Sequence, residues 1–180
     1  MSLLYNLSVP AWQNGLKALS GELDKALNWS AANDVGELQF ATARLAPDMF
    51  PLASQVRFTC AQALQPLARL GVSDVPEFTE DASDFAGMQE QIAATLAFLA
   101  AVEPAALGDD GDRAISFTLP NGMTFDMTAF DYLRDWAQPQ FAFHRVAAYA
   151  VLRHMGVPLG KADYVSYVLR YLRPGTAPAS

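Results

Sequence analysis

Residues 138–156 read QPQFAFHRVAAYAVLRHMG. Apolar and aromatic positions recur there at spacings of three and four, as on a helix with one buried face. Gly156, with Pro158 beyond it, supplies the stop. Followed upstream, the stripe becomes Leu133, Trp136, Gln140, Phe143, His144, Ala147, Val151 and Met155. Thr128-Ala129-Phe130-Asp131 reads as a capping box at its start, a hydroxyl answered three residues later by a carboxylate. Pro139 has no backbone N–H and crowds the turn before it, so a kink is expected immediately ahead of Gln140.

Upstream of this helix the period changes. In RAISFTLPNGMTFDM, Ile115, Phe117 and Leu119 alternate, as do Met123, Phe125 and Met127, and Asn121-Gly122 between them tolerates positive φ. That is a hairpin, and two strands alone are marginal, so it must pack on helices.

Three further amphipathic helices precede it. The first is expected from about Val9 to Trp29, with Trp12, Leu16, Leu19, Leu23 and Leu27 as its stripe and Pro10 near its start. SAANDVGELQFATARLAP then reads as a long polar connection. The second begins near Pro47-Asp48 and carries Met49, Leu52, Val56, Cys60, Ala63, Leu67 and Leu70, with Gly71 as its stop. Pro66 should kink it or end it early, and Gln55 places a polar group beside the apolar face. The third runs from about Asp84 to Val102, capped by Ser83 or Asp84, with Phe85, Met88, Ile92, Leu96 and Leu99 inward. A short final helix is expected from Lys161 to Leu172. The reading is therefore an all-α four-helix bundle with a small β-hairpin before the fourth long helix. It gives one domain over residues 1–173, a disordered tail over 174–180, and at least one longer crossover.

Composition narrows the partners. The 180 residues carry a net charge of −7, and 52% are hydrophobic against 17% charged. A folded chain without a basic stripe has nothing to replace the counterions of a nucleic acid. ATLAFLAAV is too short to span a bilayer, and no basic segment followed by an apolar one opens the chain. The expectation is a cytoplasmic protein with neither nucleic acid nor membrane as partner. One cysteine, Cys60, excludes an internal disulfide and a cysteine-based zinc cluster.

His144 and His154 are the two histidines. Ten residues of helix separate them by about 15 Å, so they cannot share one ion bound at about 2 Å. Gln140 and His144, at i and i+4, do share a face. On residue chemistry alone, His144 reads as a core histidine satisfied by neighbours, and His154 as a helix-end residue serving the C-terminal dipole. Cys60 falls on a buried stripe and reads as a small hydrophobe. Asp131 and Asp135 point away from the stripe, GDDGD at 108–112 lacks the spacing of a calcium loop, and neither a G-x-S-x-G elbow nor a phosphate-cradling glycine loop is present.

The helix order, with ARLAPDMFPLASQV at 43–56, the DYL…PQFAFH approach and AYAVLRHMGVPLGKADY at 148–164, resembles the DinB/YfiT-like metalloenzyme superfamily. Within it the chain looks most like an uncharacterised bacterial domain-of-unknown-function branch. The resemblance implies a four-helix bundle, commonly a homodimer. It also implies a divalent metal held by three histidines, one from the second helix and two from an H-x-x-x-H pair in the fourth. Those positions fall on Gln55, Gln140 and His144, so one imidazole of three remains. Each glutamine offers a neutral amide oxygen in place of a strong ligand. The pocket therefore reads as a degenerate metal site for which no cofactor is expected. A small polar ligand or a structural polar layer at Gln55, Gln140 and His144 is the leading reading. The alternative is a divalent-metal-dependent transferase or hydrolase with zinc or nickel on His144. The partners expected are a second copy of the chain and a small molecule.

Overall fold

The computed structural model describes residues 2–176. Among these residues seven α-helical stretches and one hairpin follow in order: α1 Leu3–Asn33, α2 Glu37–Thr42, α3 Leu52–Arg69, α4 Phe85–Ala101, β1 Ala114–Thr118, β2 Thr124–Thr128, α5 Ala129–Asp131, α6 Gln138–His154 and α7 Lys161–Tyr164. A π-helical stretch, Tyr132–Ala137, joins α5 to α6, and a 3₁₀ turn, Ser166–Tyr171, follows α7. Among the described residues no helix is long and apolar enough to cross a membrane.

The four long helices form the bundle. α3 packs most extensively on α6, α1 on α4, and the circuit closes through α3 with α4 and α1 with α6. α1 and α3 therefore lie across a diagonal, as do α4 and α6. Chain neighbours on a diagonal need long connections, which accounts for the segment before α3 and for the hairpin-bearing segment before α6. The core runs through Trp12, Leu16, Leu19, Leu23, Val56, Cys60, Leu67, Met88, Ile92 and Val151, each no more than 1% exposed.

The hairpin pairs in the expected register, with Ile115 opposite Met127 and Phe117 opposite Phe125. Gly122 takes φ 88° in its turn. Phe117 stacks on Phe125 at 5.4 Å and meets Tyr132 and Trp136 edge-on, so an aromatic cluster fastens the hairpin to the start of the last long helix. From α3, Arg69 lies 4.5 Å over Phe117 and donates to the Tyr132 hydroxyl at 2.8 Å.

Several elements differ from the reading of the sequence. α1 begins at Leu3, where the Ser2 side chain accepts from the Tyr5 N–H, so Pro10 lies inside it and Leu27 is 42% exposed. The expected connection contains α2, because Phe40 buries itself against Trp29 and Phe85 at 5.9 and 5.2 Å. α3 starts at Leu52, since Pro51 caps it in an extended conformation, and it continues through Pro66 to Arg69. Asp84 caps α4 by accepting from the Gly87 N–H at 2.8 Å. Ahead of Pro139 the helix widens into a π turn, which absorbs the donor that proline lacks. One expected stripe member, Phe143, is 59% exposed. The final helix shortens to α7 and its 3₁₀ turn. Of the expected tail 174–180, residues 177–180 lie outside the described residues.

Candidate functional site

Gln55 sits in the first turn of α3 and is 1% exposed. Its Nε2 donates to the Phe50 carbonyl at 3.2 Å, which turns the amide oxygen toward α6. There His144 Nδ1 stands 2.9 Å from that oxygen. An amide oxygen only accepts, so Nδ1 carries the proton and Nε2 of the neutral ring keeps its lone pair. Burial pushes His144 down to about 4, so the ring is neutral at neutral pH. Among the described residues Nε2 has no hydrogen-bond partner, and it is not sealed from solvent.

Aromatic rings hold the imidazole in place. Phe58 of α3 packs on it at 5.0 Å, Phe143 meets it edge-on at 5.2 Å, and Phe50 stands edge-on to Phe58 at 4.9 Å. Behind Phe58 lies Arg57, 4.4 Å from that ring, whose Nε donates to Asp81 at 2.7 Å. Ser54 also donates to Asp81, so the segment ahead of α4 is tied to the start of α3. A cleft of about 250 Å³ opens on the far side, between α3 and Val75–Phe78.

Of the three residues singled out in the sequence, the structure brings Gln55 and His144 into contact. Gln140 lies one turn before His144, half-buried and without a hydrogen bond to either. This donor set does not suit zinc or nickel: it offers one imidazole, and the nearby amide oxygen is already occupied by that imidazole's own N–H. Among the described residues no three His, Cys, Asp or Glu side chains gather at one point. A ring held near 4 is a weak base at neutral pH; its Nε2 is suited to accepting a hydrogen bond from a donor that it does not deprotonate.

The remaining candidates fall out as structure. His154 is exposed at the last residue of α6. Asp131 and Asp135 pair with Arg134 on the surface at 2.8 and 2.5 Å. Cys60 is fully buried, and burial pushes its thiol up to about 12.

A second polar feature escaped the reading of the sequence. Glu22 of α1 and Arg145 of α6 are 0% and 3% exposed, with 3.9 Å between their nearest charged atoms. Neither Glu22 oxygen has a hydrogen-bond partner among the described residues. Burial raises Glu22 to about 7; Arg145 pulls against this and Asp163 adds to it. α6 approaches closely here because α1 presents Gly15, where an added Cβ would lie 2.7 Å from the Phe141 ring and 3.4 Å from Arg145. The available signal was a glutamate at helical spacing inside the Leu19–Leu23 stripe, and an arginine four residues after Phe141.

The diagonal four-helix bundle with its hairpin is a DinB-like helical fold. A crystal structure of a DinB family member protein from Shewanella denitrificans, at 1.83 Å resolution, superposes with a TM-score of 0.83 and 29% identity, covering 98% of this chain and 96% of that one. The chain belongs to the domain-of-unknown-function family DUF1993, whose model matches residues 4–165. No curated protein matches it.

Proposed function

We propose that this protein binds a small polar ligand on the face shared by Gln140 and His144, as a cytoplasmic binding protein in place of a metalloenzyme. The observation that carries this is the Gln55–His144 hydrogen bond, which fixes the tautomer and leaves Nε2 as a directed acceptor. Phe143 beside the ring gives an apolar wall, and Gln140, one turn earlier on α6, offers an amide able both to donate and to accept. A ligand carrying a hydroxyl, amide or amine N–H beside an apolar body matches that set. The test is native mass spectrometry and elemental analysis on protein purified without added metal, followed by thermal-shift screening. The expected result is a small organic ligand, or a ligand-dependent rise in Tm, that is lost in Gln140→Leu. One metal ion per chain, lost in His144→Ala, would overturn the reading in favour of a divalent-metal-dependent transferase or hydrolase.

A structural reading has one observation in its favour, that the same hydrogen bond joins the two most extensively packed helices. It predicts no ligand in either assay, and retention of the fold when Gln55, Gln140 and His144 are all replaced by apolar residues.

The outer face of α6 supports self-association. Phe143 and Val146, 59% and 48% exposed, line an almost wholly apolar groove of about 410 Å³ with Leu45 and Met49. A second copy of the chain is the proposed occupant. Sedimentation equilibrium should give a dimer mass that falls to the monomer in Phe143→Glu/Val146→Glu.

A further inference from the structure

Residues Lys161–Leu172 cross the bundle without burying a side chain of their own. Their attachments are few. Lys25 pairs with Asp163 at 2.5 Å, Arg170 donates to Asn14 at 3.4 Å, and Tyr164 meets Tyr149 edge-on at 5.7 Å. Tyr164 nevertheless covers charge: its ring centroid is 3.7 Å from the Arg145 guanidinium, and its carbonyl accepts from Arg145 Nη2. Beneath lies the Glu22 carboxyl, 0% exposed and without a hydrogen bond among the described residues. A segment held by one surface ion pair, one long hydrogen bond and the Tyr164–Arg145 contact has little local stability of its own, and it lies over an acid that has no hydrogen-bond partner among the described residues.

We propose that Lys161–Leu172 is a strap whose closure is coupled to the charge on Glu22, lying down over the neutral carboxyl and lifting when the carboxyl ionises. Enclosing an ionised carboxylate without hydrogen-bond donors is costly, and Arg145 at 3.9 Å compensates only in part. The strap itself carries Asp163, a second negative charge that opposes ionisation of Glu22 while the strap is down. Lifting it hydrates Glu22 and removes Asp163 together. Around Glu22 the charged and titratable groups are Arg145 from α6 and Asp163 and Tyr164 from the strap, with Lys25 of α1 answering Asp163. Among the described residues none from α3 or α4 acts on its charge.

The sign follows from proton uptake. Closed, Glu22 holds its proton up to about pH 7, whereas a hydrated carboxyl releases it near 4.5. Protons therefore favour closure, and the closed-to-open ratio falls as pH rises from about 4.5 to about 7. If lifting restored ordinary hydration, the full fall would be about 300-fold. At the strap's edge Val146, Tyr149, Lys161 and Tyr164 line a groove of about 190 Å³, which lifting would extend to Arg145.

The test is amide hydrogen exchange of the strap, corrected for intrinsic base catalysis, from about pH 5 to 8 in the wild type and in Glu22→Gln, where the amide mimics the neutral acid. The expected result is protection that falls at least tenfold in the wild type and stays level in the variant, with α3 amides unchanged in both. Equal profiles in the two proteins overturn the proposal. If Glu22→Gln does not fold, the wild type decides it by NMR. Strap amides and the Glu22 side-chain carboxyl should titrate at the same midpoint, and midpoints more than about one pH unit apart overturn it.

Discussion

Gln55 has two hydrogen-bonding ends, and both are engaged, one by the Phe50 carbonyl and one by His144. Replacing it with leucine keeps the volume but strips His144 Nδ1–H of its acceptor in a half-buried place. The expected cost is about 1–3 kcal/mol by urea denaturation, and Gln55→Leu/His144→Leu should recover part of it, because an unmatched donor costs more than an absent pair. A single variant as stable as the wild type would mean that the bond does not fix the ring. Glycine positions separate packing from backbone effects on one helix. Gly15→Ala drives a methyl group to within 2.7 Å of Phe141 and should destabilise by about 1–3 kcal/mol in the same assay. Gly21→Ala meets nothing within 4 Å and should stabilise by up to about 1 kcal/mol.

At the scale of elements, the regular stretches were legible and the interruptions were not. α4 matches its sequence signals at both ends because Asp84 and the Phe85–Met88–Ile92–Leu99 stripe act locally. The hairpin was legible because alternation and Asn121-Gly122 agree. α2 was missed because one turn carries too little periodicity, and Phe40 has meaning only against Trp29 and Phe85. In the last long helix a single period was read through Leu133, Trp136, Gln140 and Phe143. The buried positions are Leu133, Ala137, Phe141 and Arg145, a spacing of four through and beyond the wide turn, before Ala147 and Val151 restore the expected stripe. That change of phase exposed Phe143 and hid Arg145. The family resemblance pointed to one position on α3 and one on α6, and the structure joins those two by a hydrogen bond, whereas the Glu22–Arg145 pair lay off the assumed stripe.

For the whole molecule, two buried groups set opposing pH slopes. Burial holds His144 at about 4 against an ordinary 6.5, so its contribution to stability is full above about 6.5 and is lost as pH falls toward 4. Burial holds Glu22 at about 7 against 4.5, so its contribution is full below about 4.5 and is lost as pH rises toward 7. Between about pH 4.5 and 6.5 the two slopes oppose, and the wild-type stability should be nearly level there. Glu22→Gln should unmask the His144 slope, so that urea midpoints fall with acid across that interval; a variant curve as level as the wild type would refute the assignment. The π turn at Tyr132–Ala137 has a consequence for the molecule as a mechanism. It acts as a keyed joint in a shaft, letting the hairpin end and the bundle end of one long helix be turned to separate settings. Deleting one residue within it would rotate everything downstream by about 100°. His144 would then swing off α3 and Arg145 off α1, in a chain that had lost neither residue.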